Sequence, residues 1–449
     1  MRYVPISCEQ REAMLRAVSA EAIGELFADI PQCVRLDRPL DLPTGVSEME
    51  AAAALRALAD ADLPATRLVS FAGAGCYDHY VPAIVDDVLR RPELFTAYTP
   101  YQPEVSQGTL QNIYEFQTMV CELTGMEVAN ASMYDGATAL VEAALMAARV
   151  TRRGRVLVSS AVHPEWLATL ETYAATGVLD VERVATEGDG TAVGDLESRL
   201  ADGGDVAAVL CATPSFLGVL EDVARVAELA HRAGALLIVA TNPILAGVLE
   251  PPATYGADIV VGEGQVLGNP MSFGGPGLGL FACRGEYLRS MPGRIVGRTV
   301  DADGDAAFVL TMQTREQHIR RERATSNICS NHALNALAAS VYLSSVGAAG
   351  LESVGRACVA KAHHLREALL SSGRFSAPWD GPFAHEFTLV FDGDVERMQA
   401  AMLQRGFLAG VPLARVAPGL APHGAVLFAV TERRTVAEMD AFATEVAAL

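Results

Sequence analysis

Apolar residues recur at helical spacing in two stretches near the start of the chain, REAMLRAVSAEAIGELF and SEMEAAAALRALAD, with Pro31, Pro39 and Pro43 between them. Apolar positions three or four apart share one helix face, and proline interrupts a helix, so the pattern predicts an N-terminal helical arm over 1–65. An irregular stretch rich in Gly, Pro and Tyr occupies 70–108. TLQNIYEFQTMVCELTG then reads as a helix that Gly125 closes as a left-handed cap. Beyond it the period changes. Short apolar runs at RVLVSS (155–160), VAAVLCA (206–212), ALLIVA (235–240), ADIVV (257–261) and LGLFAC (278–283) alternate with spacers such as EDVARVAELAHRAG. Runs apolar on both faces, separated by helix-length spacers, predict an α/β domain with a mostly parallel, doubly wound sheet over 66–340. A long helix begins near NHALNALAASVYL (331–343). FTLVF (387–391) and AVLFAV (425–430), set between amphipathic helices, make 341–449 a small C-terminal α+β domain.

Composition adds constraints rather than elements. The 449 residues are half hydrophobic and carry a formal charge of −20. Such acidity excludes a nucleic-acid surface, which needs clustered basic residues. Cysteines 8, 33, 76, 121, 211, 283, 329 and 358 form no CxxC pair and no metal-ligand spacing, as expected of reduced thiols in a cytoplasmic protein. The N-terminus has no apolar signal core. The greasiest run, 235–249, is interrupted by Thr241, Asn242 and Pro243 and is too short to cross a bilayer, so no membrane is expected. Basic positions are almost all Arg; Lys361 is the only lysine.

That single lysine matters because of two segments. In NASMYDGATALVEAALMAARV (130–150) a turn enters a helix whose first N–H groups, at Gly136 to Thr138, would suit a phosphate. Asp135 stands at the N-cap, where its carboxylate takes those donors and repels a second anion; an ordinary capped helix explains the segment equally well. In ADIVVGEGQVLGNPMSFGGPGLGLFAC (257–283) a buried strand runs into a polar Gly-rich loop and a GGPG turn. Enzymes that hold pyridoxal phosphate as a Schiff base place their lysine in such a loop. Here Gln265 falls near that position, and neither an amide nor a guanidinium can replace the amine. The preceding strand should end in an Asp that keeps the pyridine nitrogen protonated, yet LLIVATNPILAG offers Ala240 or Thr241. Lys361 lies far downstream in the helical LESVGRACVAKAHHLREALL. His163, after a strand, occupies a place where a ring stacks on the cofactor in lysine-bearing enzymes. For it and His79 a structural role is the better expectation, and Glu263 and Gln265 are expected to do no catalysis.

Four runs are long and unusual enough to carry a resemblance. They are YTPYQPEVSQGTLQNIYEFQTMVCELTGMEVANASMYDGATALVEA (98–143), GADIVVGEGQVLGNPMSFGGPGLGLFA, MPGRIVGRTVDADG and FVLTMQTREQHIRRERATSNICSNHALNALAA (308–339). They resemble the P-protein family of the glycine cleavage system, from about residue 65 to TERRTVAEMD, and within it subunit 1 of the two-subunit form of glycine dehydrogenase (decarboxylating). The resemblance implies an aspartate-aminotransferase-like fold, fold type I of the pyridoxal-phosphate enzymes. It also implies a homologous subunit 2 that carries the lysine-bound cofactor, a heterotetramer, the lipoylated H-protein as second partner, and glycine as substrate. Glycine would lose its carboxylate as CO2, and the aminomethyl group would pass to the lipoyl arm.

On that resemblance this chain binds no cofactor covalently and supplies no catalytic residue; it completes its partner's pocket. Tyr98, Thr99, Tyr101, Gln102, Glu104, Ser106 and Gln107, on a loop stiffened by Pro100 and Pro103, are candidates to line a shared site. His318, Arg320 and Arg321 join them from a basic knot where an Arg binds a carboxylate or phosphate, or pairs with Glu316 and Glu322 along a helix. Ser132, Tyr134, Asp135, Gly136, His163, Ala240 and Gln265 are expected to frame a vestigial cofactor pocket. Two other readings stand against this one. A stand-alone pyridoxal-phosphate enzyme of other specificity needs Lys361 in the pocket. A non-catalytic scaffold or regulator would have no use for the Tyr-rich loop.

Overall fold

Residues 5–36, 38–201 and 205–449 are described in the computed structural model, and the chain divides into two units, Met1–Leu63 and Pro64–Leu449. In the first, helices α1 (Cys8–Ala17) and α2 (Glu48–Ala61) each open on a serine capping box, Ser7 with Gln10 and Ser47 with Glu50. The periodic stretch that the sequence extends to Phe27 stops as an α-helix at Ala17. Ser19 turns left-handed at φ 57°, and only a 3-10 turn, Ile23–Phe27, follows.

The second unit is built on a seven-stranded sheet. In chain order its strands are β1 (Val128–Ala129), β2 (Arg155–Ser159), β3 (Asp180–Val184), β4 (Val206–Thr213), β5 (Leu236–Thr241), β6 (Ile259–Glu263) and β7 (Gly279–Cys283). Their spatial order is β1-β7-β6-β5-β4-β2-β3. Strands β2 to β6 run parallel to their neighbours, and β7 is antiparallel to both β6 and β1. Both faces are dry, which is why these strands read as continuous apolar runs. Leu157, Val209, Leu237, Val239 and Val260 face one core with Phe116, Val120 and Tyr342. Val156, Val158, Leu210, Ile238 and Val261 face the other with Ala139, Leu140 and Leu167.

Helix α3 (Gln107–Thr124) ends as expected on Gly125, at φ 71°. Helices α4 (Gly136–Thr151) and α5 (Pro164–Ala174) follow β1 and β2. Strand β3 and the antiparallel hairpin of β8 (Ile295–Val300) and β9 (Ala306–Thr311) are further strands; β3 and β8 are interrupted by polar residues, whereas β9 carries the apolar run AAFVL. DVERV alternates charged and apolar residues because it is an exposed edge.

The long helix α6 (Ala333–Ser371) breaks at Gly347, where φ is 61°. By length and composition it is apolar enough to cross a membrane, as the shorter run 235–249 is not. Ala336, Ala338, Ala339 and Tyr342 instead sit in the sheet's core, and Ala362, Leu365 and Leu369 in that of the C-terminal sheet. That sheet has four antiparallel strands in the order β10 (Phe375–Ser376), β11 (Glu386–Phe391), β13 (Ala425–Ala429), β12 (Val411–Pro412).

Candidate functional site

A cavity of about 80 Å³ lies beyond the ends of β4, β5 and β6. Gly75, Tyr77, His163, Trp166, Ala240, Thr241, Asn242, Glu263, His385 and Glu386 are among its lining residues. In an open parallel sheet this is where ligands bind, but cofactor-sized pockets begin near about 300 Å³. Local chemistry accounts for the contraction.

Asp135 caps α4, accepting from Thr138 N at 2.7 Å, as the sequence predicts. Glu263, at the end of β6, takes the adjacent donor Gly136 N at 2.9 Å, and also Gln265 N at 2.9 Å and Leu278 N at 2.7 Å. Burial raises the Glu263 pKa, those three backbone donors pull it back, and the Asp135 charge raises it further. The helix start that would cradle a phosphate thus already meets two carboxylates of the chain itself. Trp166 lies over the same spot: a Cβ on Gly136 would fall 2.1 Å from its ring.

The remaining positions are equally committed. The Gln265 side chain accepts from Tyr77 N at 3.1 Å and donates to the carbonyls of Tyr77 at 3.3 Å and Asn269 at 2.7 Å. Ala240 is buried one residue before the end of β5, and Thr241 Oγ1 donates to the carbonyl of Thr213 at 3.1 Å. His163 donates from Nε2 to the carbonyl of Ala74 at 2.9 Å and accepts from Glu165 N at 3.2 Å. Its ring stacks on Trp166 and meets Phe216 edge-on, and burial lowers its pKa. Ser132 and Tyr134 are not among the residues that line the cavity: the Ser132 hydroxyl accepts from Asn331 at 3.1 Å, and the Tyr134 ring lies 5.5 Å from that of His332.

Residues the sequence did not single out dominate the floor. Glu386 accepts from the Tyr77 hydroxyl at 2.6 Å and from Ala74 N at 2.8 Å. Full burial raises its pKa to about 7, against the pull of those two bonds. Asn242 Oδ1 accepts from Ile244 N at 3.1 Å, so its Nδ2 donates to His385 Nε2 at 3.2 Å and leaves His385 Nδ1 buried without a partner. Burial first, then the charge of His79, drops the His385 pKa to about 3. Tyr77 and Glu386 are separated by 309 positions, and no local pattern signals such a pairing.

Lys361 does not enter this pocket; its ammonium donates to the carbonyl of Glu432. Beside it His79, Cys358 and Glu432 bring ligand-type atoms within 4.8 Å of one another, a cluster that spacing alone did not reveal. His79 Nδ1 is engaged with Glu432 at 2.7 Å, and burial, then the Glu432 charge, push the Cys358 thiol pKa far up. The residues framing the pocket therefore do not fit pyridoxal phosphate. The only lysine amine is tied elsewhere, two of the three phosphate donors, Gly136 N and Thr138 N, are taken by carboxylates, and no acid ends β5.

The aromatic loop and the basic segment meet on a different surface. The Tyr101 ring lies 5.9 Å from that of His318 and under the Arg294 guanidinium at 5.6 Å. Tyr98 and Tyr101 are 73% and 56% exposed, and Gln102 and Glu104 are open as well. Thr99 is half-buried with an unpartnered hydroxyl. Ser106 leads into α3 without capping it, and Gln107 pins the loop to β9 through Phe308, donating at 2.9 Å and accepting at 2.8 Å. The basic segment is not the helix along which ion pairs were expected. Its α-helical part is the single turn Gln317–Arg320; 3-10 turns at Gln313–Arg315 and Arg321–Arg323 flank it, and Arg321 sits at φ 54°. His318 faces Glu316 at 3.5 Å, and Arg320 donates to the carbonyl of Thr314 at 3.1 Å.

A family model described as glycine cleavage system P-protein matches residues 1–446. The chain is 47% identical over 449 residues, covering all of both, to a probable glycine dehydrogenase (decarboxylating) subunit 1 of Desulforamulus reducens. It is 49% identical over 444 residues to a protein of the same description from Geobacillus kaustophilus, covering 99% of this chain and 98% of that one. Among solved structures it is similar to a glycine decarboxylase (P-protein) of the glycine cleavage system in inhibitor-bound form. There the TM-score is 0.91 at 43% identity, with both chains fully covered. A sphingosine-1-phosphate lyase of Burkholderia pseudomallei shares the fold alone, with a TM-score of 0.65 at 15% identity over 93% of each chain.

Proposed function

Because this chain belongs to the glycine cleavage system P-protein family, we propose that it is the cofactor-free half of a two-subunit glycine dehydrogenase (decarboxylating). It has the α/β fold of the fold type I pyridoxal-phosphate enzymes. Its partner, a homologous subunit 2, holds the pyridoxal phosphate. Together they decarboxylate glycine, release CO2 and pass the aminomethyl group to the lipoyl arm of the H-protein, in a cytoplasmic heterotetramer. Residues 66–340 serve as the vestigial cofactor domain, 341–449 as the small domain, and the arm 1–65 embraces a neighbouring subunit.

One observation carries the assignment. The helix start at Gly136 is neutralised by Glu263 and Asp135, while the sole amine, Lys361, is held at Glu432. What the chain contributes is positional. Tyr98, Tyr101 and His318 present an exposed aromatic and basic face, set by Gln107 and the cation-π contact of Arg294, that closes over the partner's site. Covering that site excludes water from the substrate carboxylate and favours its loss. In the test, the purified chain shows no aldimine absorbance with pyridoxal phosphate and no exchange of labelled bicarbonate into glycine. Exchange appears on mixing with subunit 2 and the H-protein. Stoichiometric cofactor uptake by the chain alone, or a mixture no more active than subunit 2, refutes the proposal.

A further inference from the structure

A second cleft, of about 480 Å³, opens between α4, the end of α5 and the segment 317–327. It shares no lining residue with the vestigial pocket. Glu142 of α4 is the most buried of its charged lining residues, which also include the exposed Arg149, Arg321 and Glu322: Glu142 is 3% exposed, and its Oε2 has no hydrogen-bond partner among the described residues. Buried carboxylate oxygens are nearly always paired, so an orphan one beside a cleft marks a missing donor. Burial raises the Glu142 pKa, and the Ser326 hydroxyl and the Arg149 charge pull it back.

Two guanidiniums stand at the open end. Arg149, two turns further along α4, is exposed by area, yet burial of its guanidinium lowers its pKa against the pull of the Glu142 charge; it uses one donor on the carbonyl of Ser290 at 3.2 Å, and its other donors meet no acceptor among the described residues. Arg321, also exposed, is presented by a backbone at φ 54° and ψ −122°, a conformation that a non-glycine residue holds only where its surroundings impose it. The cleft thus has a donor-seeking end inside and an anion-seeking end outside.

We propose that this cleft binds an α-amino acid, its ammonium group on the unpaired Glu142 oxygen and its carboxylate between Arg149 and Arg321. A free anion such as phosphate would meet the Glu142 charge, and a simple amine would leave both guanidiniums unused. A zwitterion satisfies both ends, and the planar fork of Arg suits a carboxylate in particular. The site goes beyond the chain's role beside its partner and would hold whether or not that role is correct.

The test uses the full chain alone, titrated calorimetrically with the standard amino acids one at a time, with methylamine and acetate as half-ligands. The result expected is one saturable site for at least one amino acid, with both half-ligands binding about tenfold or more weaker. Glu142→Gln and Arg149→Met should each weaken that binding about tenfold to a hundredfold. Arg321→Met, at the exposed residue of the same end, should weaken it likewise and reads the site where a change at Glu142, or at Arg149, which bonds Ser290 and offsets the Glu142 charge, alters folding. The absence of saturable binding by any amino acid, binding that survives Arg149→Met, or methylamine binding as tightly as the amino acid overturns the proposal.

Discussion

Replacing Glu386 by Gln isolates one charge in the cavity beyond the ends of β4, β5 and β6. The native carboxyl is fully buried, bonded to the Tyr77 hydroxyl and Ala74 N, and its pKa rises from 4.5 to about 7. Between those two values the folded state holds a proton that the unfolded state has lost. Stability from this group therefore falls as pH rises through the window, by about 1.4 kcal/mol per pH unit and ~3 kcal/mol in all. His385 works in the opposite direction. Its pKa drops from 6.5 to about 3, so its contribution is lost as pH falls through that range. Between 4.5 and 6.5 the two slopes oppose one another in the native chain. Gln matches the shape of Glu, keeps an acceptor for Ala74 N and a donor for the Tyr77 oxygen, and titrates nowhere. The assay is urea unfolding of both proteins across this window, extrapolated linearly to water. Relative to the native chain, Glu386→Gln should gain about 3 kcal/mol between the acid and neutral ends, and its own curve should show the bare slope of His385. Two curves that stay parallel across the window refute the burial argument.

Four other substitutions test the pocket and the exposed face. Gln265→Lys supplies an amine near the expected position but leaves Asp135 and Glu263 on the anion donors; it should show no aldimine absorbance with pyridoxal phosphate and a lower unfolding temperature. Stoichiometric absorbance would show the donors to be available. Gly136→Ala drives a methyl into the Trp166 ring and should cost about 1–3 kcal/mol, read by thermal unfolding; an unchanged midpoint contradicts the close approach. Lys361→Met, mixed with subunit 2 and the H-protein, should retain full bicarbonate exchange, because the amine only meets the Glu432 carbonyl. Lost exchange at intact stability would put that amine in the chemistry. Tyr101→Ala should lower exchange in the mixture while the isolated chain unfolds at the native temperature, since the ring is 56% exposed; full exchange would remove Tyr101 from the shared site.

The helix over 107–124, the apolar strands and the capped turn at Asp135 were legible because each is written in contiguous residues. Propensity, period and capping act over a turn or two, and there the chain states its own structure. Strands β3 and β8 were not, because their mixed side chains do not separate from loop by periodicity, while the apolar run of β9, AAFVL, was there to be read. The basic segment misled for another reason: its charges repeat at helical spacing, while Arg321 leaves the helix to meet tertiary demands.

What the sequence determined by itself was chemical capacity. It has one lysine, placed in a helix, and no acid at the end of β5, and no arrangement of the chain can create a missing functional group. Only the tertiary structure decided how the emptied pocket is filled. Glu263 reaches Gly136 across 127 positions, Glu386 reaches Tyr77 across 309, and Glu142 is left with an oxygen unpaired. Such contacts depend on which buried donors remain after the sheet closes, and that is settled by packing over the whole domain, to which no short stretch of residues has access.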